Sequence, residues 1–294
     1  MGDTSLVTGD EVEVAVTGFA HGGHAIARHD GQVLFVRHAI PGERVRAVVT
    51  EVGPGGKFVR ADALDVLEAS PARVTPPCPY AGPGRCGGCD LQHVSLSHQR
   101  ELKADVVREQ MRRLARIDVA VTVEAVPGDD EGLDWRTRVE FAVDAEGRPG
   151  LRRHRSHDVI PVDHCRIAAP GVDRLRVTDS TWPGVELVNA IAPSSGDAVA
   201  VAVPGGPAPD VTEVVEATWR ENGDERSFSR SFRVGSRGFW QVHPGAARTF
   251  VAAVMEAVAV RPGERVLDLY AGVGLFAAAL AEAVGATGQV IAVE

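Results

Sequence analysis

The sequence predicts a multidomain protein: an OB-like β-barrel over residues 1–69, a central, mainly antiparallel β domain over 70–236, and the opening of a Rossmann-like α/β domain over 237–294. Three observations carry that reading. Residues 9–68 alternate apolar and polar between closely spaced turn signals. Three of the four cysteines fall in one glycine-rich stretch. Residues 265–276 (RVLDLYAGVGLF) turn an apolar run into a glycine turn and then a helix-forming run.

In the first segment Val12, Val14 and Val16 face one way with Glu11 and Glu13 beside them, and β-rich pieces follow at 32–36, 44–52 and 58–67. Turns are marked by Gly22-Gly23, Asp30-Gly31, Pro41-Gly42 and the run 53–56. Five short strands at this spacing make a small barrel of OB type. Such a barrel either binds RNA, with His21, His24, Lys57 and Arg60 as its contacts, or serves as a structural module.

The linker 70–77 (SPARVTPP) leads into CPYAGPGRCGGCDLQH, where Cys78, Cys86 and Cys89 are spaced C-x7-C-x2-C; Cys165 follows far downstream in PVDHC. Glycines between the thiols let several converge, and both structural zinc and an iron–sulfur cluster accept four thiolates. Core cysteines have no reason to share a glycine-rich loop, so metal is the better reading. Residues 96–117 carry Leu102, Val106, Met111 and Leu114 on roughly one helical face. Around them lie Arg108, Arg112, Arg113 and Arg116, either an RNA contact or a solvated face.

After a turn at 127–132, the β-rich pieces WRTRVEFAV, 186–191, 198–203, 211–219 and 227–234 describe the central domain. Its conspicuous cluster is Arg152, Arg153, His154, Arg155 and His157. A local basic patch is the electrostatic footprint of a nucleic-acid binder, though a charged hairpin without a partner looks the same. RGFWQVH then leads to Pro244, placed to open a helix reaching about residue 260. Strand, glycine turn, helix and a second strand (QVIAVE) follow, ending on Glu294. In a doubly wound sheet an acid at that place grips ribose hydroxyls of a dinucleotide or of S-adenosylmethionine. Ala277 replaces the third glycine of the dinucleotide fingerprint and no phosphate-gripping Lys follows, which favours S-adenosylmethionine over a dinucleotide.

Composition bounds the function. The 294 residues are 44% hydrophobic and 24% charged, as in a folded globular protein. No apolar run approaches the ~20 residues of a membrane span, and the acidic start MGDTSLVTGDEVEV is no signal peptide, so a cytoplasmic location is expected. A net charge of −9 excludes a blanket electrostatic grip on nucleic acid and leaves only local patches.

Taken in order, the barrel, the cysteine loop with Cys165, and FWQVHPG followed by LDLYAGVGLF resemble the RNA uracil-5-methyltransferases, the TrmA/RumA-like class I enzymes, across essentially the whole chain. The resemblance implies an N-terminal TRAM barrel and a 4Fe-4S cluster on Cys78, Cys86, Cys89 and Cys165. It also implies a helix 96–117 packed with the methyltransferase domain, and S-adenosylmethionine held by Gln241, Tyr270, Gly272, Gly274 and Glu294. RNA, a tRNA or 23S rRNA, would be gripped in part by Arg152, Arg153 and Arg155, and the enzyme would act as a monomer. Leu275 departs from the polar residue of some members, and the first cysteine spacing is wider than their C-x5-C-x2-C. A non-catalytic RNA-binding metalloprotein is the alternative reading.

In that family a cysteine thiolate adds to uracil C6, C5 takes the methyl group, and a base removes the C5 proton. With all four cysteines assigned to metal, no thiol is left for this step. Two strands of a doubly wound sheet and no Asp-Pro-Pro motif after the glycine turn suggest a C-terminally truncated, inactive fragment. Residues 265–294 are then expected to be poorly ordered unless they lean on the central domain or on helix 96–117.

Overall fold

The computed structural model describes residues 6–129, 131–221 and 223–294. Residues 1–5 of the expected barrel domain and Asp130 of the expected turn lie outside the described residues. The chain divides into two compact units: Met1–Ala125 with Leu151–Ile160, and Val126–Gly150 with Pro161–Glu294.

In the first unit β1 (Glu11–Ala20), β2 (His24–His29), β3 (Gln32–Arg37), β4 (Arg44–Val52) and β5 (Val59–Glu68) close into a barrel in the order β1-β2-β3-β5-β4. Only the β3–β5 pairing is parallel. Closure follows from the period-2 pattern: Val12, Val14 and Val16 are buried with Ala27, Leu34, Val36, Val45, Val49 and Val59, while Glu11 and Glu13 stay outside. Outside, Arg46 joins Glu11 to Asp65 and Arg44 joins Glu13 to Glu68. These exposed pairs contribute at most about 1 kcal/mol each.

One end of the barrel is organised by Glu43, whose side chain is fully buried. Its carboxylate accepts from the backbone N–H of Ile40 (2.9 Å) and of Ser70 (3.1 Å) and from Arg73 Nε and a terminal nitrogen (both 2.6 Å). Arg73 also donates to the His38 carbonyl at 2.8 Å. The linker after β5 is thereby pinned to the turn before β4. Helix α1 (Leu96–Gln110) continues as one wider turn to Ala115 and stops at Arg116, which adopts φ +58°. In the first unit Leu102 of this helix joins the barrel core, with Val106 packed beside it.

After the helix, β6 (Arg138–Val143), β7 (Pro149–Arg152), β8 (Val159–Pro161), β9 (Leu187–Ile191) and β10 (Val199–Val203) form a sheet in the order β10-β9-β6-β7-β8, of which β6, β9 and β10 lie wholly in the second unit. The chain leaves this unit within β7 and returns within β8. A short helix α2 (Pro170–Asp173) precedes β9, and β11 (Asp210–Glu221) pairs with β12 (Asp224–Gly235) as a long hairpin. Then come α3 (Ala246–Val258), β13 (Arg265–Leu269), α4 (Leu275–Val284) and β14 (Gln289–Val293), which lies parallel to β13. Two parallel strands bury too little to stand alone, and here they lean on the hairpin. Phe228, Phe232 and Val234 of β12 share one core with Val251 and Met255 of α3 and Leu275 and Leu280 of α4. Among the described residues no helix is long and apolar enough to cross a membrane.

The Glu43 arrangement has a measurable consequence. Burial by itself raises its pKa, but the hydrogen bonds from Arg73, Ser70 and Ile40 outweigh burial and leave the carboxyl below its ordinary value of 4.5. A lowered folded-state pKa means that the stabilisation is present above the unfolded-state value and is lost as pH falls through the folded-state one. Glu43→Ala is expected to cost about 3–5 kcal/mol at neutral pH, by leaving Arg73 unpaired, and to remove that part of the acid dependence. Urea denaturation followed by circular dichroism at neutral and acid pH checks both.

Candidate functional sites

At the end of β13 the chain enters the glycine turn. Tyr270 (φ +63°), Gly272 (φ +55°) and Gly274 (φ +84°) all have left-handed backbone, which glycine adopts at no steric cost. A Cβ on either glycine would meet nothing within 4 Å, so conformation and not crowding calls for glycine here. Tyr270 is 93% exposed. The Gly272 N–H donates to Glu294 Oε2 at 2.6 Å, and the Ala271 N–H to the Val293 carbonyl at 2.9 Å, so the acid after β14 is held directly against the turn.

Gly274, at the N-cap of α4, has no side chain to satisfy the first helical N–H groups. The buried Asp268 of β13 supplies the missing acceptor, taking the Ala277 N–H at 2.9 Å. Sequence reasoning missed Asp268. Its signal was a carboxylate set between two leucines of an apolar strand, where a charge persists only if the fold gives it donors.

Gln241 lies on the loop from β12 to α3, and this loop is clamped. Thr137 donates its N–H (2.8 Å) and Oγ1 hydroxyl (3.0 Å) to the Val242 carbonyl, and Arg138 donates to the Gly238 carbonyl at 3.2 Å. The Trp135 indole stacks on His243 with centroids 5.7 Å apart. Trp240 turns inward against Phe232, while Phe239 is exposed. Gly245 is required because a Cβ there would stand 2.4 Å from the Pro127 carbonyl oxygen. Glu294 thus meets the glycine turn directly, and Gln241 is held in the same unit on its own braced loop.

The cysteine loop of the first unit has a pinned stem. Arg73 bridges Val94, the Val74 N–H donates to the His93 carbonyl (3.0 Å), and the Ser95 N–H to the Ala72 carbonyl (2.9 Å). Between these ends Cys86 is buried and Cys78 and Cys89 are half-buried; Cys165 is buried in the second unit. Burial pushes the Cys86 thiol pKa up and the nearby Cys78 adds to this, while the Gly88 N–H donates to Cys86 Sγ at 3.4 Å. Among the described residues no three or more His, Cys, Asp or Glu side chains stand together as a metal site.

The basic patch is knitted to this loop. The Gly87 N–H donates to the Arg152 carbonyl at 2.9 Å and Cys86 bridges Arg153. A Cβ on Gly87 would lie 2.5 Å from the backbone of His154, so only glycine permits this approach. Arg152, Arg153 and Arg155 are exposed. Arg153 pairs with Asp158 at 3.2 Å and Arg155 with Glu51 at 3.8 Å.

Of the barrel residues singled out by sequence, His24 and Arg60 sit within an aromatic group, and His21 and Lys57 are exposed. Burial first, then Arg60 and His154, hold the His24 pKa below its ordinary value; burial and Arg37 do the same for His154. Phe35 and Phe58 belong to this group and were missed, because an aromatic residue in an alternating strand reads as core.

Comparison with known proteins accords with these features. A TRAM domain model matches residues 6–64, and a model described as protein-L-isoaspartate (D-aspartate) O-methyltransferase matches residues 210–294. A protein of Streptomyces avermitilis described as an uncharacterized RNA methyltransferase is 49% identical over 97% of this chain and 72% of its own length. The 23S rRNA (uracil(1939)-C(5))-methyltransferase RlmD of Alkalilimnicola ehrlichii is 31% identical over 96% of this chain and 72% of its own. Among solved structures, the tRNA (uracil-54, C5)-methyltransferase of Pyrococcus abyssi, in complex with S-adenosyl-L-homocysteine, shares the fold. Its TM-score is 0.55 at 19% identity, covering 92% of this chain and 70% of that one. With a TRAM barrel, a methyltransferase model over 210–294 and relatives matched over nearly the whole of this chain, the chain belongs to the TRAM-bearing RNA methyltransferase family that includes the RNA uracil-5-methyltransferases.

Proposed function

We propose that the turn 270–274 and Glu294 bind S-adenosylmethionine, and that the protein serves methylation of uracil C5 in RNA, a tRNA or 23S rRNA, as a cytoplasmic monomer. The observation that carries this reading is the hydrogen bond from Gly272 to Glu294, which sets a carboxylate beside an open glycine turn. One Glu294 oxygen takes that N–H, and the other is left to accept from ribose hydroxyls. Tyr270 flanks the turn, and Gln241 offers an amide donor and acceptor for the methionine end. When bound, this cofactor supplies an electrophilic methyl group.

The donor set of Cys78, Cys86, Cys89 and Cys165 suits a 4Fe-4S cluster, and the N–H donated to Cys86 Sγ is the contact that stabilises a thiolate ligand. The alternative, an RNA-binding metalloprotein in which the glycine turn only joins strand to helix, predicts no affinity for S-adenosylmethionine. RNA runs along the barrel and the patch Arg152, Arg153 and Arg155, and the base to be modified must leave its stack to reach the methyl donor.

Isothermal titration with S-adenosylmethionine tests the first reading. Binding weakened about tenfold or more by Glu294→Ala supports it, since a charged hydrogen-bond acceptor is lost. No binding, with RNA affinity retained, supports the second. Protein purified without oxygen is expected to be brown and to lose its iron in Cys86→Ser; a colourless preparation with stoichiometric zinc would falsify the cluster. Replacing Arg152, Arg153 and Arg155 together by Ala is expected to weaken RNA binding and to reduce the slope of log K against log salt by about 2. Fluorescence anisotropy over a salt series measures it.

A further inference from the structure

Gln241 stands between two carbonyls that are held by the start of β6. Arg138 donates through one terminal nitrogen to the Gly238 carbonyl at 3.2 Å, and Thr137 gives its N–H and its hydroxyl to the Val242 carbonyl at 2.8 and 3.0 Å. Between these points Trp240 is buried against Phe232, Phe239 is 77% exposed and Gln241 is half-buried. The stretch 238–242 is neither helix nor strand, so it has no hydrogen-bond ladder of its own to hold it. Its place is set by these contacts and by the buried indole.

Arg138 is itself fixed from the other side. Its second terminal nitrogen pairs with Glu213 of β11 at 3.3 Å, the two side chains being 11% and 5% exposed. The remaining Glu213 oxygen accepts the Ser194 N–H at 2.9 Å. One guanidinium thus joins the hairpin to the loop of Gln241, a task for a planar fork with several donors and not for a single ammonium. The Arg138 Nε is buried and makes no hydrogen bond among the described residues, so the side chain forgoes a donor to keep this geometry. A buried pair of this kind adds little net stability once both charges have left water. Its contribution is to where the loop stands.

We infer that Arg138, with Glu213 behind it, is a positioning residue for the methionine end of S-adenosylmethionine, acting through Gln241 and not by contact with the ligand. The inference rests on the cofactor reading above and deepens it. It divides the site into two halves with separate supports. The turn 270–274 and Glu294 take the adenosine half, and they are hydrogen-bonded to each other and to β14. The loop 238–242 takes the methionine half and is held by Thr137 and Arg138. Loosening the loop therefore costs affinity only for a ligand that carries the methionine chain.

The test is isothermal titration of the full chain with S-adenosylmethionine and with 5′-methylthioadenosine, which keeps the adenosine and the sulfur but lacks the amino-acid end. Arg138→Lys keeps a cation for Glu213 and cannot fork to Gly238 as well; Glu213→Gln keeps an acceptor for Ser194 and removes the charge. Each is expected to lose affinity for S-adenosylmethionine about tenfold and to hold 5′-methylthioadenosine as the wild type does. Gln241→Ala is expected to show the same pattern, and Arg138→Lys added to it to cost nothing more, because residues that act through one another are not additive. Urea midpoints establish that each variant is folded. Should Glu213→Gln not fold, Arg138→Lys combined with Thr137→Val carries the test. Equal weakening of both ligands, losses that add in the double variant, or wild-type affinity in the folded variants overturns the positioning role and leaves the cofactor reading standing. A wild-type chain that binds neither ligand overturns both.

Discussion

The carboxylate of Glu43 is the contact on which the first unit depends. It is buried, and it collects donors from the turn before β4 and from the linker after β5. By holding Arg73 it fixes one side of the stem from which the cysteine loop grows, because Arg73 in turn bridges Val94 just ahead of α1. A glycine-rich loop of this length has little structure of its own. Its position is inherited from the barrel, through one ion pair whose desolvation is offset by several hydrogen bonds.

The second unit uses the same device. Asp268 takes an N–H at the start of α4, Glu294 takes the Gly272 N–H, and the buried Glu213 takes the Ser194 N–H at 2.9 Å while pairing with Arg138 at 3.3 Å. In each case a carboxylate replaces a backbone partner that the local chain cannot provide, at a turn or a helix start. Arg138 also reaches the loop of Gln241, so both elements expected to hold the methyl donor are positioned by acids in the protein and not by chain stiffness.

The acidic net charge and the nucleic-acid chemistry of the family are compatible because charge is local. Many acids of the barrel are paired with arginines of neighbouring strands, so they cancel at short range. Arg152, Arg153 and Arg155 project from a turn tied to the cysteine loop by Gly87. Screening limits the reach of distant charges to about 8–10 Å, so a local basic face is not cancelled by the acidic total.

The sequence by itself determined the elements whose signal is local. Alternation marked the barrel strands, 44–52 coinciding with β4, and the glycine turn between 265–269 and the following helix was legible because positive φ and helix propensity are properties of a few adjacent residues. The basic cluster at 152–157 and the acid at 294 were visible for the same reason. Only the tertiary structure decided what these residues meet. That Gly87 lies on His154, that Leu102 of α1 enters the barrel core, that Asp268 caps α4, and that Phe35 and Phe58 line the outside of the barrel are all contacts between segments distant in the chain. No periodicity records which segments will be neighbours. That choice belongs to barrel closure and core packing, which depend on the whole chain at once.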